Sequence, residues 1–128
     1  MRYLLDTHAI LWCAQGNDCL PAGVRAIIRG EECFYSIASL WEVAIKQSLH
    51  KLDADFTLPE LDDQCRLAGI KRVSIEPTHL ERIKTLPDIH RDPFDRLLVA
   101  QALEEGLVIV TCDRMIPQYP VQSTWQHP

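Results

Sequence analysis

Two short apolar runs lie near opposite ends of the chain, Tyr3 to Leu5 and Leu107 to Thr111, and each leads into an aspartate, Asp6 or Asp113. Unbroken Leu, Val and Ile, with no polar residue at alternate positions, suit strands buried on both faces, as in a parallel sheet. Parallel neighbours cannot be joined by a tight hairpin, so the chain between them must cross over, as a rule through a helix. The intervening sequence meets that need. Helices are predicted over residues 21–29, 39–49, 58–68 and 94–105, with a short one from Thr78 to just before Pro87, and Gly30, Gly69 and Gly106 act as stops. Weaker strands are expected at 33–36 and 72–75, with 121–124 as an edge strand. Strands alternating with helices imply right-handed crossovers and an α/β fold with helices on both faces of a mainly parallel sheet. In such sheets ligands bind beyond the carboxyl ends of the strands, where Asp6 and Asp113 can meet despite their distance in sequence.

A chain of 128 residues, 47% hydrophobic and 24% charged, has material for one core, and no repeat, linker or low-complexity stretch divides it, so residues 1–128 are expected to form one domain. At this size folding needs neither a disulfide framework nor a structural metal, so a bound metal would serve chemistry. Thirteen Lys and Arg against 18 Asp and Glu leave a net charge of −5, which argues against holding nucleic acid by bulk charge. Acids gathered at one site behave differently, because bound cations reverse the local sign. Five cysteines, at 13, 19, 33, 65 and 112, form an odd set without a C-x-x-C pair, as expected of a reduced setting. Asp6 interrupts the N-terminal apolar run and no window reaches the ~18 apolar residues of a span, so a soluble cytoplasmic protein without a membrane contact is expected.

Four acids stand at informative places: Asp6 and Asp113 after strands, Glu42 and Asp95 in the first turns of helices. Helices that follow parallel strands start at the same sheet edge where the strands end, so the four carboxylates can converge. Bare carboxylates repel, and a hard divalent cation such as Mg2+ or Mn2+ relieves the repulsion. Each acid also has a plainer use. Ser39-Leu40-Trp41-Glu42 has the spacing of a capping box. Asp92-Pro93-Phe94-Asp95 reads as a helix start with Asp92 as N-cap, and Asp6 and Asp113 could form turns. His8 is expected to pack near the strand end rather than bind a ligand, and Trp12, Trp41 and Trp125 to serve the core or an interface. His90, Arg91 and Arg96 flank the acidic loop, where a phosphate could lie.

Taken in series, Leu4-Leu5-Asp6-Thr7-His8, Ser39-Leu40-Trp41-Glu42, His90-Arg91-Asp92-Pro93-Phe94-Asp95-Arg96-Leu97-Leu98 and Thr111-Cys112-Asp113 resemble the PIN-domain ribonucleases, in particular the VapC-like toxins of bacterial toxin-antitoxin pairs. The resemblance runs from residue 2 to about residue 123. It implies a three-layer α/β/α sandwich, Mg2+-dependent endoribonuclease activity with Mn2+ as a substitute, and a homodimer inhibited by a cognate antitoxin protein. Carried over to this chain, Asp6, Glu42 and Asp95 match the family's acidic metal site, Asp113 its fourth acid, and Thr111 a Thr or Ser near it. Arg91, Arg96 and Arg114 would line the approach of the RNA substrate, and Arg91, Arg96 and Thr111 are the expected substrate contacts.

Two other classes are weighed against this. A response-regulator receiver needs an acidic pair after the first strand and a lysine after the last, and an aspartyl phosphatase needs an acid two residues after Asp6, where this chain has His8. A catalytically silent PIN-like RNA- or protein-binding module would usually have lost acids, and here all four are present.

Overall fold

The computed structural model describes residues 1–16 and 20–125, so Cys19 and the last three residues lie outside the described part. The chain runs β1 (Arg2–Leu5), α1 (Thr7–Ala14), α2 (Ala22–Gly30), β2 (Glu32–Ser36), α3 (Ile37–Ser48), α4 (Leu58–Leu67), β3 (Lys71–Val73), α5 (Pro77–Ile83), α6 (Pro93–Glu105), β4 (Val108–Val110), a single 3-10 turn (Ile116–Gln118) and β5 (Ser123–Thr124). All four strand pairings are parallel, in the order β3-β2-β1-β4-β5. Tyr3 lies opposite both Cys33 and Val108, and Leu5 opposite Val110. From β1 the sheet grows through β2 to β3 on one side, and through β4 to β5 on the other. The order therefore reverses between β1 and β4, and the crevice at such a reversal, beyond the carboxyl ends, is where ligands bind in open α/β sheets. Asp6 follows β1 directly and Asp113 follows β4.

Neighbouring residues of a strand point to opposite faces. Leu5 packs with Ile10, Val24, Leu61 and Cys65 of α1, α2 and α4, while Leu4 packs with Leu98, Val99 and Ala102 of α6 and with Ile116 and Tyr119. Both leucines are fully buried, worth roughly 2–3 kcal/mol each, and the result is the expected three-layer α/β/α sandwich. The four described cysteines are free thiols, and burial pushes Cys33 up to about 11 and Cys65 up to about 12, which leaves both unreactive. Among the described residues no helix is long and apolar enough to cross a membrane.

Two local expectations are corrected. The chain does not simply turn after Asp6. It enters α1, and Asp6 caps that helix, its Oδ1 accepting from the Ala9 N–H at 2.8 Å. Ala9, Ile10 and Leu11 are all buried, so α1 lacks the polar face that would mark it as helical in sequence. The capping box at Ser39 does not form either. The helix begins a turn earlier, with Ser36 Oγ accepting from the Ala38 N–H at 3.0 Å, because β2 runs straight into α3 without a loop. Ser39 and Glu42 are thus inside the helix and free for other contacts.

Candidate metal and active site

At the reversal point, each acid is held by groups its own segment supplies. Asp6 is 4% exposed, anchored by the Ala9 N–H and by the Thr111 hydroxyl, and burial pushes its carboxyl above the ordinary range despite both bonds. Asp113 Oδ1 accepts from the Met115 N–H at 2.7 Å. Asp95 sits in the first turn of α6, a helix started by Asp92, whose Oδ1 accepts from the Phe94 N–H at 2.8 Å with Pro93 next in line. Asp92 is therefore the cap, as its position suggested.

Asp95 is strongly perturbed as well. Burial first, then the negative charges of Asp92, Asp113 and Glu42, push its carboxyl up to about 7, against an opposing pull from His90. Glu42 and Asp113 thus lie within the field of Asp95, and the charge of Asp113 likewise raises Asp6. All four acids predicted from the sequence thus share one electrostatic neighbourhood. Glu42 is the best anchored: it is buried, its Oε1 accepts from the Thr7 hydroxyl at 2.7 Å, and its Oε2 lies 2.9 Å from Lys46 Nζ. A hydroxyl has a single proton, so Thr7 donates to Glu42 and accepts from Ser39, 3.0 Å away. Thr7 and Lys46 are site residues that the sequence reading missed, although Thr7 stands beside Asp6 and Lys46 one helical turn after Glu42.

His90 closes the cluster. Its Nε2 lies 3.0 Å from Asp95 Oδ2 and 3.4 Å from Asp113 Oδ2, and the three groups offer donor atoms within 4.8 Å of one another. Its Nδ1 accepts from the Asp92 N–H at 3.4 Å, so in the neutral ring the proton is on Nε2, facing both carboxylates. The segment before α6 is fixed from behind. Tyr119 Oη accepts from the His90 N–H at 2.8 Å and from Arg96 at 3.2 Å.

The expected substrate contacts divide. Arg91 is exposed beside the acids. Arg96 instead donates to the carbonyls of Pro87 at 2.9 Å and Ile83 at 3.3 Å, which commits its planar fork to tying α5 to α6. Thr111 is buried, donating to Asp6 while its Oγ1 accepts from the Asp113 N–H at 3.0 Å, so it braces two acids rather than reaching outward. His8 is exposed, its ring against Trp12 at 5.7 Å, which agrees with a packing role.

The donor set fits a hard divalent cation. Asp6, buried, and Asp95 and Asp113, half-buried, supply carboxylate oxygens, and among the described residues none of the three is neutralised by Lys or Arg. Such a cation would find the donor atoms of Asp95, Asp113 and His90 within 4.8 Å of one another, with Asp6 and Glu42 adding their charge from next to them.

A family model described as "PIN domain" matches residues 3–122. The chain is 31% identical over 116 residues to "Ribonuclease VapC22" of Mycobacterium tuberculosis, an alignment covering 88% of each protein. Its fold is similar to that in the crystal structure of VapBC2 from Rickettsia felis bound to a DNA fragment from the promoter, with a TM-score of 0.71 at 14% identity over 98% of this chain and 100% of that one. A toxin-antitoxin complex from Klebsiella pneumoniae is similar too, with a TM-score of 0.66 at 16% identity over 98% and 99% of the two chains.

Proposed function

Since this chain belongs to the PIN-domain family, we propose that it is a divalent-metal-dependent endoribonuclease, the VapC-like toxin of a toxin-antitoxin pair, working in the cytoplasm as a homodimer with a cognate antitoxin as partner. The observation that carries the reading is the grouping of Asp6, buried, with half-buried Asp95 and Asp113 at the sheet's reversal point, without a Lys or Arg counter-charge among the described residues. Desolvated carboxylates in that number are costly unless a cation binds between them. The relative's name and the titles of the similar structures agree with it.

A bound Mg2+ or Mn2+ supplies an activated water near neutral pH and polarises the phosphate. The chain does the rest. Asp6, Asp95 and Asp113 hold the ion. Glu42, held by Thr7 and Lys46, would orient the attacking water and take up its proton. Arg91 attracts the phosphate backbone, while Arg96 and Thr111 keep the site in shape. The test is cleavage of a mixed single-stranded RNA pool with Mg2+ or Mn2+ and with excess chelator. Cutting that stops with chelation supports the proposal. Cutting that persists undiminished in EDTA excludes it, and RNA binding without any cutting points to a silent binding module.

His90 serves in this reading as the donor that fixes the outer oxygens of Asp95 and Asp113. Outer hydrogen bonds to metal ligands are commonly worth 10- to 100-fold in metal affinity. His90→Ala should therefore raise the Mn2+ concentration for half-maximal stabilisation, read from melting curves, by about 10-fold or more. His90→Gln, which keeps an N–H donor, should recover part of that loss. An unchanged metal midpoint in the alanine variant would show that the carboxylates hold themselves.

A further inference from the structure

Outside the acid cluster, a groove of about 450 Å3 lies between the outer face of α3 and the start of α6, lined by Glu42, Ile45, Lys46, Lys51, Arg91 and Phe94, among others. We propose that this groove is the subsite for one nucleotide of a single-stranded RNA beside the scissile phosphate, its base on Phe94 and the adjoining exposed ring of Trp41 and its phosphate on Lys51 and Arg91.

Three observations converge on that occupant. Glu42 and Asp92 line the groove and also belong to the acid cluster, so the groove opens directly onto the reactive centre. Phe94 lines it and packs edge-to-face, at 5.0 Å between ring centroids, with Trp41 just outside the lining, and Trp41 is 55% exposed, an unusual state for so large an apolar surface. Its three cations outnumber its two carboxylates in a protein of net charge −5, and with Lys46 paired to Glu42, Lys51 and Arg91 are left without a carboxylate partner among the described residues. An aromatic platform with unpaired cations is what single-stranded nucleic acid selects, since every base offers a stacking face and every nucleotide a negative charge. The volume lies in the range of pockets that take small-molecule-sized groups. A two-fold contact with a second copy is less suited, because it would set the same cationic patch against itself. A second groove, of about 530 Å3 with Thr111, Asp113, Arg114 and Trp125, also borders the cluster, through Asp113.

The inference deepens the nuclease reading, and the experiment separates the two. Binding of a short fluorescein-labelled single-stranded RNA is followed by anisotropy in EDTA, where metal-dependent cutting is off. Trp41→Ala should weaken binding by about 5- to 100-fold, with Trp41→Phe largely restored. Lys51→Ala/Arg91→Ala should weaken it about 10-fold or more and flatten the dependence of log Kd on log salt by about 1.4, at ~0.7 for each lost phosphate contact. Arg25→Ala/Arg29→Ala, the same charge change on α2, should bind as wild type does. If groove variants match wild type in binding while wild type cuts RNA with Mg2+ or Mn2+, the groove proposal falls and the nuclease stands. If the groove binds RNA that the protein never cuts, the nuclease reading falls instead. Should Trp41→Ala turn a dimer into a monomer with RNA affinity intact, the groove is a contact between copies and the proposal is overturned.

Discussion

Asp95→Asn should reduce RNA cleavage by about 10^3-fold and, in EDTA at pH 8, raise the melting temperature. The first effect follows from the proposed metal site. Asparagine keeps the shape and can still serve a helix start, but it supplies a neutral oxygen where the site needs a charged one, and metal stabilisation of a reacting phosphate is worth several kcal/mol. The second effect follows from the carboxyl itself. Its pKa stands at about 7 in the folded protein against 3.8 for the free group. Folding therefore favours the protonated form, and the stability this lends is complete below pH ~4 and lost as pH rises through ~7. At pH 8 the ionised group costs on the order of 2–4 kcal/mol without a metal. The N-terminus of α6 returns only ~0.3–1 kcal/mol to a charge in its first turn. Removing the charge should add about 5–10 °C at pH 8 and a smaller part of that at pH 5, and the two proteins should melt together only below pH ~4, where the carboxyl is protonated in the unfolded chain as well. Cleavage at wild-type rate, with melting unchanged at both pH values, would reduce Asp95 to part of a helix start.

That double effect illustrates what the sequence shows and what it hides. β1 and β4 are legible because a strand buried on both faces must be apolar throughout, and α6 because Asp92, Pro93 and Gly106 mark both its ends. Knowing that two parallel strands end at Asp6 and Asp113 is enough to bring the acids to one edge. The rest depends on contacts that no local pattern records. α1 is buried so fully that no polar face gives it periodicity, and its absence from the reading hid Thr7, whose hydroxyl fixes Glu42. Ser39 has the spacing of a cap, yet Ser36 takes that place because the end of β2 sets where α3 begins. Arg96 sits in the most recognisable motif of the chain and looks ready for phosphate, but two carbonyls from the α5 side and Tyr119, distant in sequence, claim its fork. His90 shows the converse case. Nothing in its spacing says that it faces two acids from different segments, and only the fold places its Nε2 near both.

Mg2+ or Mn2+ should stabilise the protein strongly at pH 8 and hardly at all at pH 5. In the metal-free protein the raised carboxyls of Asp6 and Asp95 make stability fall as pH rises from about 4 towards 7. An ion that binds the deprotonated carboxylates acts in the opposite sense, since below ~7 it must first displace a proton from Asp95. At an ion concentration 100 times Kd the gain is ~2.7 kcal/mol, or roughly 10 °C in a domain of this size. The difference between melting curves with ion and with EDTA should thus be roughly 10 °C at pH 8 and close to zero at pH 5. Calorimetric titration near pH 6.5 in two buffers of unlike ionisation enthalpy gives the number of protons displaced. About one should leave per ion bound, and Asp95→Asn should remove most of that release, because its amide has no proton to give up. A metal-induced shift of the same size at both pH values, with no proton displaced, would locate the ion away from Asp6 and Asp95 and leave their burial without a counter-charge to account for it.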